Sequence, residues 1–373
     1  MSIDNVPVNE PVLDGNEERY LLECIRTGWI SSEGPFVREF EQKFAARVGR
    51  RFGIAVCNGT AALEVALAAA GIGPGDEVIL PSFTIISCVL AVVRCGAIPV
   101  TVDCDPLTWN LDVSRLEECI TSRTRAIMPV HIYGLPVDMD PLLELARRHG
   151  LAVIEDAAQA HGLSYRGLPC GSFGSASCFS FYPNKHVTTG EGGMVVTNDE
   201  ALAERCRSLR NLCFGQGDNR FVHEALGWNY RMTNLQAALG VAQLERLDQF
   251  VLKKRAIGER YRELLAGIPA QFQPARTETA QNINWVFGMV LDDAVPFAAT
   301  EVTARLGALG IGTRPFFWPM HEQPVLRERG LFAGIAHPVA ERIARRGFYL
   351  PSGLALSAEQ QERVCAAVRE VLP

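Results

Sequence analysis

The 373-residue chain has no block of basic residues, no paired-cysteine motif, no internal repeat and no low-complexity tract. Each absence removes a class of protein. Lys and Arg total 36 against 42 Asp and Glu, a net charge of −6. Without a basic block, nucleic acid and anionic membrane surfaces are poor candidates for the main partner. The most apolar window, residues 85–93, stops at Arg94, far short of the roughly 20 residues that a spanning helix needs. Residues 1–18 are polar and acidic, unlike a signal peptide. The 11 cysteines are odd in number and scattered, and Cys57, Cys88 and Cys178 stand in apolar contexts. They read as small buried hydrophobes of a cytoplasmic protein with no metal centre.

What is present is ordinary globular composition, with 48% hydrophobic and 21% charged residues. The length suggests a large domain over 1–250, including an N-terminal lead-in segment, and a small C-terminal domain over 251–373. Helices are expected over 17–27 and 36–48, the second from Phe36, Phe40, Phe44 and Val48 at helical spacing. The turn between them carries Trp29, either packed on the surface or acting as a flap at a cleft. From residue 53 the pattern alternates. Strands are expected over 53–57, 77–80, 98–102, 126–131 and 151–155, and helices over 60–70, 85–95, 111–120 and 139–149. Apolar strands separated by helices predict a mostly parallel sheet covered on both faces, with ligands at the carboxyl ends of its strands. Helical stretches at 201–212 and 234–265 follow. The small domain should hold a strand at 285–291, a helix at 300–309, an extended segment at 312–317 and a closing helix at 359–372.

Three stretches carry chemistry. Residues 175–197 place Lys185 in a polar turn between two strand-like runs. Desolvation there disfavours its charge and suits it to act as an amine nucleophile toward an aldehyde; an ordinary loop lysine fits the stretch equally. Asn58-Gly59-Thr60 turns from a strand into a helix, which makes either an anion site or a plain capped helix. Asp156 follows an apolar strand, where a carboxylate needs a cationic partner or caps the next turn. The pyridinium of pyridoxal 5′-phosphate is such a partner. Gln159 lies three residues on, within reach of a ring hydroxyl, and Ser180 precedes Lys185 by five. The glycines of 71–75 precede a strand and lack dinucleotide spacing, and 190–193 lacks the Lys-Ser/Thr of a P-loop.

At this point the sequence resembles fold-type I pyridoxal phosphate enzymes, more closely the sugar-nucleotide aminotransferases of the DegT group. The matching runs span nearly the whole chain: Gly28-Trp-Ile-Ser-Ser, Asn58-Gly-Thr-Ala-Ala-Leu, Gly75-Asp-Glu-Val-Ile-Leu-Pro-Ser-Phe-Thr, Ile154-Glu-Asp-Ala-Ala-Gln-Ala, Ser180-Phe-x-x-Asn-Lys, Asn229-Tyr-Arg-Met-Thr-Asn and Thr313-Arg-Pro-Phe-Phe. The resemblance implies an α/β, aspartate-aminotransferase-like fold. In it Lys185 is the Schiff-base lysine, Asp156 meets the ring nitrogen and Gln159 the ring hydroxyl. Ser180, Gly59 and Thr60 hold the phosphate. Ile85 stands where the family usually stacks an aromatic ring, unless Phe83 reorients. Asn229 would reach the neighbouring subunit's cofactor, making a homodimer with shared sites. L-glutamate is the implied donor and a nucleotide-linked keto sugar the acceptor, best matched by a GDP-4-keto-6-deoxy sugar, with another NDP-linked or antibiotic-pathway keto sugar as the alternative. Trp29, His186, Arg231, Arg314 and His321 are candidate substrate residues, with the 211–220 loop nearby. In a dehydratase branch a histidine replaces the lysine; with Lys185 intact, transamination is favoured. A catalytically silent regulatory homologue is the non-enzyme alternative.

Overall fold

The strands of the central sheet are short apolar runs, and most of their residues are buried. The computed structural model describes residues 5–215, 217–223 and 225–372; Gln216 of the 211–220 loop lies outside them. The strands are β1 (Phe52–Val56), β2 (Glu77–Pro81), β3 (Ile98–Val102), β4 (Thr124–Ile127), β5 (Ala152–Asp156), a small hairpin β6 (Ser164–Tyr165) and β7 (Leu168–Pro169), β8 (Ala176–Ser180) and β9 (Gly193–Thr197). Seven of them form one sheet in the order β1-β9-β8-β5-β4-β2-β3. All neighbours are parallel except β9, which runs against both β8 and β1. Continuous Val/Ile runs such as Glu77–Pro81 are buried throughout, as a sheet covered on both faces requires.

The covering helices follow from their composition. Gly59–Ala69 is rich in Ala and Leu and buried almost all round. It packs against β8, β9 and the helices Ile86–Arg94 and Glu200–Arg210; small side chains permit that close approach. On the other face Phe40 and Phe44 of helix Pro35–Arg47 meet Phe179 and Phe181 of the β8 edge, with ring centroids 4.8–5.1 Å apart. Helix Asn234–Leu244 closes this layer. The C-terminal part forms a second, antiparallel sheet of β10 (Ala270–Phe272), β11 (Phe287–Leu291), β12 (Arg314–Pro315) and β13 (Gly347–Leu350), ordered β10-β11-β13-β12. It has its own apolar cluster, built with the helices Leu247–Leu264, Ala299–Ala308 and Ala358–Val371.

Three expectations are corrected. Residues 111–120 form two short 3₁₀ turns, Val113–Arg115 and Glu117–Cys119, and no α-helix. The backbone there is tied to β3's exit by Asp112 N–H to Asp103 O and a bridge between Cys104 and Leu111, while Asp112's side chain accepts from Ser114 N. Residues 234–265 are two helices that break at Glu245–Arg246. The strand expected to reach His131 stops at Ile127; Pro129 has no N–H for a ladder, and only an isolated Val130–Asp156 bridge continues the pairing. The helix Pro338–Arg346 and strand β13 had no counterpart in the sequence reading.

Candidate active site

β5 and β8 are parallel neighbours, with Asp156 paired in register to Cys178. Their carboxyl ends deliver Asp156 and Ser180 to the same edge, and the chain leaving β8 turns back at once with Lys185 N–H bonded to Tyr182 O. Facing them is the start of helix Gly59–Ala69, where Asn58 caps by accepting from Ala61 N at 2.8 Å. A Cβ on Gly59 would come within 2.6 Å of Ser180 Cβ, so glycine is what lets the helix start meet β8. Thr60 Oγ1 donates to Ser87 Oγ at 2.8 Å. Together these groups bound a cavity of about 670 Å³, the size of a small-molecule site.

The cavity floor holds opposite charges. Asp156 is only 3% exposed. Its Oδ1 accepts from Ala158 N at 3.0 Å and its Oδ2 from the Cys88 thiol at 3.1 Å. Burial still pushes its pKa up, against the pull of those donors and of Lys185. Burial lowers Lys185 to about 7, with Asp156's charge opposing the drop. Its Nζ lies 3.7 Å from the centroid of the Trp285 ring, and that ring is fixed by Trp285 Nε1 donating to Asn184 O at 2.7 Å. Gln159 Oε1 accepts from Tyr133 N at 2.7 Å, which aims the amide's donor end away from Tyr133. Tyr133 takes the left-handed region, φ 56°, to present that N–H; its ring is fully buried among Trp109, Phe316 and Phe317.

Gly59, Thr60, Ile85, Asp156, Gln159, Ser180 and Lys185 all line this one cavity. Ile85 faces it, 39% exposed, while Phe83 is fully buried against Tyr133 and Phe316; Phe83 does not reorient. The other candidates lie elsewhere. Asn229 stands beside the wall residue Tyr230 and forms an isolated bridge to Asn211. Trp29 is half exposed, its carbonyl accepting from Asn234. Arg231 pairs with Asn211. Arg314 is exposed on β12 beside the wall residue Tyr349. His321 is buried between Ser82 and Glu341, and His186 is buried beside His161. Neither histidine is among the residues that line this cavity. Trp285, Phe317, Tyr349 and Glu191 line the site without having been singled out. Trp285 is 100 residues from Lys185 in sequence, and its place at the head of an apolar run read only as strand.

The fold and this cavity define a pyridoxal phosphate-dependent enzyme of the aspartate-aminotransferase-like architecture. Residues 11–369 match the DegT/DnrJ/EryC1/StrS aminotransferase family. The GDP-perosamine synthase of Caulobacter vibrioides is 46% identical over 99% of this chain and 99% of its own length. That of Escherichia coli O157:H7 is 42% identical over 98% of each. Among solved structures, a candidate sugar aminotransferase of Streptococcus pneumoniae in its PLP form superposes with a TM-score of 0.91. It is 25% identical, with 99% of this chain and 100% of that one covered. The chain belongs to the DegT/DnrJ/EryC1/StrS aminotransferase family, and its cofactor is pyridoxal 5′-phosphate.

Proposed function

We propose that this enzyme moves an amino group from L-glutamate to C4 of a GDP-linked 4-keto-6-deoxy sugar. The observation that carries the chemistry is one cavity edge bearing both a near-neutral lysine and a buried carboxylate. The GDP sugar is supported by the near full-length likeness to GDP-perosamine synthases.

The residues present fit the cofactor. The capped helix start at Asn58-Gly59-Thr60 and the Ser180 hydroxyl offer donors to a phosphate, and the helix dipole favours its charge. Asp156 is a buried anion that a ring N–H⁺ would pair, and the donor end of Gln159's amide suits a ring oxygen. Ile85 offers an aliphatic face. When bound, the cofactor supplies an aldehyde carbon and an electron-withdrawing ring that acidifies a neighbouring C–H bond.

The chain's own residues do the rest. Lys185, poised near neutrality by burial, is the nucleophilic amine and afterwards the base and acid that carries the proton of the reacting carbon. Trp285 holds that amine over its ring and away from bulk water. Two donors and Lys185 offset part of the desolvation that raises Asp156's pKa. The apolar side chains Phe317 and Ile85 help keep water from the reacting atoms.

We infer also that two copies share sites, with Asn229 of one reaching the phosphate held by the other. Phe221, Val222 and Leu226 are 77%, 59% and 96% exposed, apolar area that a second copy would cover. Trp29 and Arg231 would serve substrate across that border. The large domain then ends near residue 250, inside helix Leu247–Leu264, and the protein works in the cytoplasm.

The test is mass spectrometry of products from the holoenzyme, glutamate and a panel of GDP-, dTDP- and UDP-linked keto sugars. The proposal expects an amino sugar from the GDP-4-keto-6-deoxy substrate in preference to the others. Amination of a dTDP or UDP sugar instead would overturn the nucleotide assignment, and no amination of any would overturn the reaction.

A further inference from the structure

Asp156 has a neighbour that the reaction scheme leaves unused. Cys88 lies in the first turn of helix Ile86–Arg94, fully buried. Its Sγ is 3.1 Å from Asp156 Oδ2, and Thr84 Oγ1 is 3.3 Å from the same sulfur. A carboxylate accepts only, so the thiol hydrogen points to Asp156, and the Thr84 hydroxyl is then free to donate to the sulfur. The two bonds form a string, Thr84 to Cys88 to Asp156, each polarising the next in a dry interior. The opposite oxygen, Oδ1, is taken by Ala158 N–H at 3.0 Å. The carboxylate is therefore held in one orientation from both ends, while Asp156 still lines the cavity.

We propose that Cys88 is a positioning residue that acts through Asp156, keeping this carboxylate ionised and aimed so that it holds the cofactor's ring nitrogen in its protonated form. The inference rests on the cofactor placement given above. A thiol is a weak donor. It steadies the anion without competing strongly for the oxygen that the ring N–H would need. It also fills an apolar pocket, packed in the same cluster as Val89, Val92 and Cys178. Removing the donor leaves Asp156 Oδ2 with less compensation for its burial, so the carboxylate becomes more basic. The shared proton then moves from the ring toward Asp156.

The experiment compares wild type, Cys88→Ala and Cys88→Ser, each reconstituted with pyridoxal 5′-phosphate labelled with ¹⁵N at the ring nitrogen. Cys88→Ala should weaken cofactor binding by about fivefold, the scale of one lost hydrogen bond. Its ring-nitrogen resonance should move toward the unprotonated position, and kcat should fall while KM for the sugar stays put. Cys88→Ser, which restores a donor, should return the resonance to the wild-type position. Thermal melting of the apo proteins separates this from a packing defect. The proposal is overturned if Cys88→Ala leaves the resonance and the cofactor affinity unchanged, or if Cys88→Ser shifts the resonance as far as Cys88→Ala. If wild type itself fails to bind the cofactor, it is the site assignment that fails, and the ¹⁵N comparison is what distinguishes the two.

Discussion

Lys185 and Lys254 face the same physical problem with different solutions. Both are lowered by burial to about 7. Lys254 Nζ donates to the carbonyls of Trp285, at 2.6 Å, and of Ser352. Lys185 has Asp156 across the cavity and an aromatic face beneath it. Removing that amine by Lys185→Ala should cut turnover by about a thousandfold or more, the scale of a lost general base and nucleophile, while the fold's circular dichroism stays the same; steady-state assays of the holoenzyme check it. Lys254 makes a stability prediction. Its folded pKa lies below the ordinary 10.5, so between about 7 and 10.5 the unfolded chain binds a proton that the folded one excludes. Stability from this group rises with pH by up to about 1.4 kcal/mol per pH unit across that window, and below it the penalty is full and constant. Urea unfolding of wild type and Lys254→Met at two pH values should show wild type gaining on the variant from pH 7 to pH 9; parallel curves would contradict it. At this scale the sequence exposed Asp156, Ser180 and Lys185, because strand ends mark where buried chemistry emerges. It hid Trp285, which only tertiary folding brings to the amine; His186, next to Lys185 in sequence, lies buried beside His161 and does not line the cavity.

At the scale of elements, the site depends on a helix start pressed against a strand end. Gly59→Ala would place a Cβ 2.6 Å from Ser180 Cβ, forcing the helix away from β8. We expect a loss of about 1–3 kcal/mol in unfolding free energy, the usual cost of overpacking, accompanied by weaker cofactor binding. Denaturant unfolding with and without cofactor measures both. Strands such as Ile98–Val102 and helices such as Glu17–Thr27 and Met139–His149 match their expected limits to the residue, since their periodicity and caps are local. Where the limits failed, contacts outside the helical pattern decided. Residues 111–120 are pinned to the exit of β3, and the long helix breaks at 245–246 as the chain passes toward the second sheet. The short strand β13 owes its existence to pairing with β11 and β12, which no local pattern announces.

For the whole molecule, the two sheets meet at the cavity: Trp285, Phe317 and Tyr349 come from the C-terminal part, the lysine and aspartate from the large sheet. The wall is thus built from segments nearly 300 residues apart, which is why composition and motif spacing indicated the cofactor side and missed the opposite wall. If the proposed pairing of copies is right, mixing inactive Lys185→Ala with impaired Asn229→Ala protein should restore activity, because each mixed pair regains one site with both residues intact. Subunit-exchange assays test this, and a mixture no more active than its parts would argue for self-contained sites.

The most direct test of the central claim is chemical. Holoenzyme treated with borohydride and digested should carry one phosphopyridoxyl group, found by peptide mass spectrometry on Lys185. A label on Lys254 or another lysine, or no label at all, would contradict the account of this cavity.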